Sequence, residues 1–153
     1  MKILIMGLPG SGKTWLAQRL NNHLKCAWFN ADEVRKISND WEFDNEARIR
    51  QANRMAHYAD FEKKCGHNVI CDFVCPTDLT RYIFNADFTI WMNTIEKSEY
   101  EDTNNIFEPP ESYDVRFTEW ISQDQLSSCL GDGNRGIKVT QNYLKELMIK
   151  LVR

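Results

Sequence analysis

The sequence predicts an α/β fold: a parallel sheet held between two layers of helices. Three observations carry this. Short apolar runs alternate with longer stretches whose apolar residues recur at helical spacing. The opening run, "KILIMG", is continuously apolar after Lys2, as in a strand covered on both faces. A glycine-rich turn then leads straight from that run into helix-forming residues.

The elements follow in order. "GKTWLAQRLNNHL" sets Trp15, Leu16, Leu20 and Leu24 on a helical repeat, so a helix is expected from about Gly12 to Leu24. "CAWFNA" reads as a second strand ending at Asn30, and "ADEVRKI" restarts helix with acidic residues in its first turn. From Asp44 to Cys65 neither Gly nor Pro occurs, and Ala47, Ile49, Ala52, Met55, Ala56 and Ala59 keep helical spacing; Gly66 is the natural stop. "NVICDFVC" reads as a strand ending at Pro76, "TDLTRYIF" as a short helix and "DFTIWMNT" as a further strand. "EDTNNIFEPPESYDVRF" is polar, holds a double proline and shows no period, so a lid-like loop is expected over about 98–118. "TQNYLKELMIKLV" closes the chain as an amphipathic helix opened by Thr140, while "SSCLGDGNRGIKVTQ" is left open between strand, loop and contact surface. With no repeat or linker-like stretch, residues 1–153 are expected to form one domain.

Composition narrows the class. The net charge of -3 disfavours broad binding to nucleic acid or to an anionic membrane, which needs a basic face. No apolar run approaches the ~20 residues of a membrane span, and "MKILIMG" is too short for a signal peptide. The five cysteines lack paired spacing, so a reducing cytoplasm is expected. Cys65, Cys71 and Cys75 with His67 match no common zinc spacing, and Cys71 falls within a strand.

Gly7 to Thr14, "GLPGSGKT", completes the G-x-x-x-x-G-K-[ST] pattern of a P-loop, with the required strand before it and helix after it. Glycines let successive backbone amides turn inward around phosphate, and the following helix aims its positive end there. Gly7, Leu8, Pro9, Gly10, Ser11, Gly12, Lys13 and Thr14 are therefore expected to bind ATP. Lys13 would reach the β- and γ-phosphates and the Thr14 hydroxyl would ligate Mg²⁺. An accidental glycine-rich turn is the plain alternative.

The second strand ends in "FNADEVR". Ligands in such sheets lie beyond the carboxyl ends of strands, which puts Asp32 and Arg35 near the γ-phosphate. Asp32 is a candidate to accept a proton from an attacking hydroxyl and Arg35 to hold an anionic substrate; an ordinary helix start would read the same way. Asp72 ends a strand near the cradle, either to help hold Mg²⁺ through water or as a simple strand-end polar residue.

These blocks resemble the adenylylsulfate kinase (APS kinase) family of P-loop kinases in a compact, phage-like form. Beside the cradle, "NADEVR" (Asn30 to Arg35) lines up with D-G-D-N-[VI]-R. "EFDNEARIRQANR" (Glu42 to Arg54) lines up with G-F-S-x-x-D-R-x-x-N-x-R-R, and "FVCP" (Phe73 to Pro76) with F-I-S-P. The resemblance implies a three-layer α/β/α kinase that uses ATP and Mg²⁺ to phosphorylate the 3′-hydroxyl of adenosine 5′-phosphosulfate (APS). It makes Lys13 and Asp32 catalytic and Arg35 a substrate arginine. It stacks Phe43 on the substrate's adenine and sets Arg48 on its sulfated phosphate, with Gln51, Phe73, Val74 and Cys75 lining the pocket.

The chain departs from the family pattern at Asn30 (Asp), Gln51 (Asn), Asn53 (Arg) and Cys75 (Ser), and its lid stretch holds no lysine and only Arg116. A thiol is no equivalent for a serine carrying phosphate, so direct in-line transfer is expected. A kinase for a nucleoside, sugar or polynucleotide 5′ end, and a nucleotide-binding module without turnover, stand as alternatives. The expected partner is a small anionic nucleotide substrate, with no membrane and no nucleic acid; a homodimer is left open.

Overall fold

The computed structural model describes residues 1–131 and 138–152. Its elements run β1 (Lys2–Met6), α1 (Lys13–Leu24), β2 (Ala27–Asn30), α2 (Ala31–Ser38), α3 (Asn45–Lys64) and β3 (Val69–Asp72). They continue with α4 (Asp78–Phe84), β4 (Phe88–Met92), α5 (Glu101–Ile106), β5 (Val115–Phe117), α6 (Gln123–Leu130) and α7 (Gln141–Val152). The five strands form one parallel sheet in the order β2-β3-β1-β4-β5. Among the described residues no helix is long and apolar enough to cross a membrane.

Strand β1 shows why the layers form. Its side chains alternate between faces, and all five residues are buried. Ile3 and Ile5 pack with Leu16, Leu20 and Leu24 of α1 and with Leu144, Leu147 and Met148 of α7. Leu4 and Met6 pack with Val34 of α2, Met55 and Ala59 of α3 and Phe84 of α4. Two helical layers thus share one strand. This is the fold expected from the sequence, a three-layer α/β/α structure.

Helix ends are set by local chemistry. The Asp44 carboxylate accepts the Ala47 amide at the start of α3, and the chain passes Gly66 at φ 83° just beyond its end. Thr77 and Thr80 form a reciprocal cap on α4, and Ser122 and Gln125 one on α6. Thr140 opens α7 by accepting the Tyr143 amide.

The expected loop over 98–118 is corrected: it contains helix α5 and edge strand β5. Neither rests on periodicity. Asn104 fixes α5 by donating to the Ser98 carbonyl (2.9 Å) and accepting the Ser98 amide (2.8 Å). Strand β5 exists because Val115 and Phe117 complete the core while pairing with Ile90 and Met92 of β4. Of "SSCLGDGNRGIKVTQ", the first four residues end α6, whereas residues 132–137 lie outside the described residues.

Candidate active site

The carboxyl ends of β1, β2 and β3 meet at one place. Register sets Asp72 beside Ile5 of β1 and beside Asn30 of β2, so the turn after β1 and the start of α2 face a common cleft. The cleft encloses about 980 Å³, the upper end of the roughly 300–1,000 Å³ usual for a small-molecule site. Pro9, Gly10, Lys13 and Thr14 line one part of it; Asp32, Arg35, Phe43, Arg48 and Gln51 line another, with Phe73, Val74 and Cys75 between strand and lid. Gly7, Leu8, Ser11 and Gly12 do not line it. They shape the turn from behind.

At two positions that shape demands glycine. A Cβ on Gly7, at φ 151°, would lie 2.5 Å from the Met92 carbonyl oxygen. One on Gly12, at φ 97°, would lie 2.8 Å from the Trp120 ring. Gly12 begins α1 with no side-chain cap, so the amides of the first turn are left to a ligand. Lys13 Nζ donates to the Leu8 carbonyl of the same turn at 2.9 Å. Burial pulls its ammonium down to about 8 against the attraction of Asp72 and Asp32. Uncapped amides, a lysine and a threonine hydroxyl are the donor set that a triphosphate with Mg²⁺ requires, so the residues fit that group.

Behind the cradle lies a buried polar knot. Asp72 accepts from Thr14 Oγ1 (2.7 Å), Trp28 Nε1 (2.7 Å) and Asn30 Nδ2 (2.9 Å). Burial pushes its carboxyl up, while these three bonds and Lys13 pull it down. Three hydrogen bonds are what a buried carboxylate needs.

The far end of the cleft holds two arginines, with the Asp102 carboxylate of α5 lying 3.8 Å from Arg48 Nη2. Arg35 and Arg48 are nearly fully buried, and burial pulls both guanidiniums down without discharging them. Arg35 lies over Phe43 at 4.4 Å from the ring centroid and donates through Nη1 to the carbonyls of Asp40 (3.2 Å) and Glu42 (2.8 Å). Arg48 donates through Nε to the Phe43 carbonyl (2.9 Å) and through Nη2 to Thr103 Oγ1 (2.6 Å). Each guanidinium keeps N–H groups without a protein partner among the described residues. Phe43 thus carries at least one arginine on its ring and is 45% exposed. Gln51 is buried and ties α3 to the Ala31 carbonyl (3.0 Å), which fixes the turn bearing Asp32. The Asp32 carboxylate itself is exposed, takes no hydrogen bond among the described residues, and is close enough to act on both Lys13 and Arg35.

The chain turns sharply at Cys75, whose φ of 47° is a sparsely populated conformation for a residue with a side chain. Arg81 Nε holds the Cys75 carbonyl at 3.0 Å. The thiol is fully buried and burial pushes it up to about 12, which leaves it protonated and unreactive. Iodoacetamide at neutral pH is therefore expected to alkylate exposed Cys65 and spare Cys75 in the folded protein. Peptide mass spectrometry checks this, and equal labelling of both would contradict the buried placement.

Sequence reasoning missed several residues here. Trp41, Lys97 and Tyr100 line the cleft. Lys97 escaped because it stands just before the stretch taken as lid. Arg116, the arginine within that stretch, lies over Trp91 at 4.9 Å and does not line the cleft. Trp120, 59% exposed, packs on Gly12 from the loop after β5; no motif announces it.

The family model of adenylylsulphate kinase matches residues 1–112. A probable adenylyl-sulfate kinase of Aeropyrum pernix is 35% identical over 48% of this chain and 44% of its own length. A cytidine diphosphoramidate kinase of Campylobacter jejuni is 37% identical over 44% of this chain and 43% of its own. The matched stretch thus spans less than half the length of either curated relative. In fold, the chain is similar to the Mycobacterium tuberculosis APS kinase CysC in complex with AMPPNP and APS, with a TM-score of 0.69 over 83% of this chain and 92% of that one, at 21% identity.

Proposed function

The chain belongs to the adenylylsulphate kinase family, and from that premise we propose that it is an ATP-dependent phosphotransferase acting on an alcohol, with the 3′-hydroxyl of APS as acceptor. One observation supports the reading best: Asp32, a carboxylate with no hydrogen-bond partner among the described residues, lines the same cleft as the cradle lysine and the buried Arg35. Phosphoryl transfer asks for that layout, since catalysis here is mostly positioning and charge stabilisation.

Bound Mg·ATP supplies the transferable phosphoryl group, and this chain's residues do the rest. The amides of Gly10, Lys13 and Thr14 and the Lys13 ammonium would hold the phosphates, and Thr14 Oγ1, which donates to Asp72, would offer a lone pair to the metal. Asp32 accepts the proton of the acceptor hydroxyl. The free N–H groups of Arg35 and Arg48 hold the acceptor's anionic end. The helix α5, tied to Arg48 through Thr103, closes that end of the cleft. Cys75, buried and protonated, takes no part in bond making, in keeping with direct transfer.

A second reading shares the same machinery with another nucleotide-like hydroxyl acceptor. It is favoured by the similarity to the Campylobacter kinase and by the departures at Asn30, Gln51, Asn53 and Cys75. A panel tests both: Mg·ATP is incubated with APS, cytidine diphosphoramidate, a nucleoside, a sugar and an oligonucleotide with a free 5′ end, and ADP release is followed. APS is expected to stimulate release most. Stimulation by another member alone selects the second reading, and ATP binding without stimulation by any of them reduces the protein to a nucleotide-binding module.

A further inference from the structure

We propose that Asn30 is a positioning residue that holds Asp32 in register with the phosphate cradle; this rests on the kinase reading above. Asn30 ends β2 and caps α2. Its Oδ1 accepts the backbone amides of Asp32 (3.1 Å) and Glu33 (3.2 Å). Its Nδ2 donates to Thr14 Oγ1 (3.1 Å) and to Asp72 Oδ2 (2.9 Å). One planar amide therefore touches the helix turn that bears the acceptor-activating carboxylate and, on its other side, the hydroxyl of the cradle.

The orientation of that amide is over-determined. Two N–H donors on one side require its oxygen there, and a carboxylate on the other side requires its NH₂. Few side chains meet both demands. Serine or threonine caps a helix comparably but lacks the reach to donate toward Asp72. Aspartate, which the family pattern has at this position, also caps, yet it would set a carboxylate oxygen against Asp72 at the 2.9 Å now spanned by a hydrogen bond.

The link has rigid anchors at both ends. Strand pairing sets Asn30 beside Asp72 and Asp72 beside Ile5, and Trp28 fixes the other Asp72 oxygen at 2.7 Å. On the helix side, Gln51 holds the Ala31 carbonyl at 3.0 Å. A displacement of the Thr14 hydroxyl when nucleotide engages the cradle thus reaches the first turn of α2 through a single side chain. Asn30 is in this sense the joint between the donor half of the site and the acceptor half.

Asn30→Ser separates the joint from the cap. The variant is expected to melt within a few degrees of the wild type and to leave the KM for ATP within about threefold. Its kcat should fall about 10- to 100-fold, the scale of a slightly misplaced catalytic group. Asn30→Ala should lose as much in kcat and lower the melting temperature as well, since alanine is a poor cap. A readout without turnover uses backbone-amide NMR with Mg·AMPPNP. In the wild type both the cradle amides of Lys13 and Thr14 and the α2 amides of Asp32 and Glu33 should shift; in Asn30→Ser only the cradle amides should. Wild-type kcat and wild-type α2 shifts in Asn30→Ser would overturn the proposal and leave Asn30 a plain helix cap. Cradle shifts without α2 shifts in the wild type would overturn it while sparing the kinase reading. No shift at the cradle at all would remove both.

Discussion

Lys13→Ala is expected to abolish measurable turnover while leaving a folded protein. The cradle brings a polyanion to a place where the protein already holds two carboxylates: Asp72 and Asp32 both act on Lys13. Without the ammonium, the phosphates meet those carboxylates with only the metal and backbone dipoles to offset them. Removing one preorganised charge-stabilising donor costs about 10²–10³-fold in kcat, and here repulsion adds to the loss, so a fall beyond 10³-fold is expected. Stability should suffer little. Burial opposes the charged form of Lys13, and its only hydrogen bond among the described residues is to the Leu8 carbonyl of its own turn. Lys13→Arg should not rescue, because the cradle around the ammonium suits a compact point charge better than a planar fork. ADP-release rates measured beside thermal melting check both halves; turnover within tenfold of wild type would remove Lys13 from the mechanism.

The sequence was legible where one local rule was enough. "KILIM" followed by "GLPGSGKT" specified β1, the cradle and α1, because strand, turn and helix each had their own signal and all three agreed. The same holds for α3, whose Asp44 start and Gly66 stop bracket a clear helical period. What stayed hidden depends on partners distant in sequence. Helix α5 is six residues long and is braced locally by Ser98 and from far along the chain by Arg48, and a period can reveal neither. Strand β5 is three residues at a sheet edge, stable only because the core beside β4 accepts Val115 and Phe117. For α6 there was a signal: "SQDQ" is the S-x-x-Q capping box that Ser122 and Gln125 form.

The site divides in the same way. The structure brings Asp32, Arg35, Phe43, Arg48, Gln51, Phe73, Val74 and Cys75 into one cleft with Lys13 and Thr14. Place after the second strand suggested Asp32 and Arg35, the family resemblance implied the others, and the fold supplied their meeting. Asn30 could be seen only as a departure from a pattern. Its significance lies in bonds to residues 16 and 42 positions away, which no one-dimensional reading contains. Gln51 was expected to line the pocket; it does, yet its amide is spent on the Ala31 carbonyl, so it serves the site by holding α2 in place.

Asp32→Asn is expected to bind Mg·ATP as tightly as the wild type, or more tightly, and to turn over 10²–10⁴-fold more slowly. The affinity follows from removing a negative charge near the cradle. The rate follows from removing the proton acceptor, since a positioned general base contributes about that factor. The amide occupies the same volume, and the cap that orients this turn is made to the Asp32 backbone, so the geometry should persist. The rival account makes Asp32 merely an acid in the first turn of α2. Magnitude separates the two. A first-turn carboxylate is worth about 0.3–1 kcal/mol to its helix, whereas a loss of 10²–10⁴-fold corresponds to about 3–5 kcal/mol at the transition state. A small fall in melting temperature with near-wild-type kcat is the outcome of the rival account; unchanged melting with a collapsed kcat and an unchanged KM for ATP is that of the general base. The second pattern is expected because the carboxylate has no protein hydrogen bond among the described residues to lose: it lines the cleft exposed, and what it has to accept must come from the acceptor.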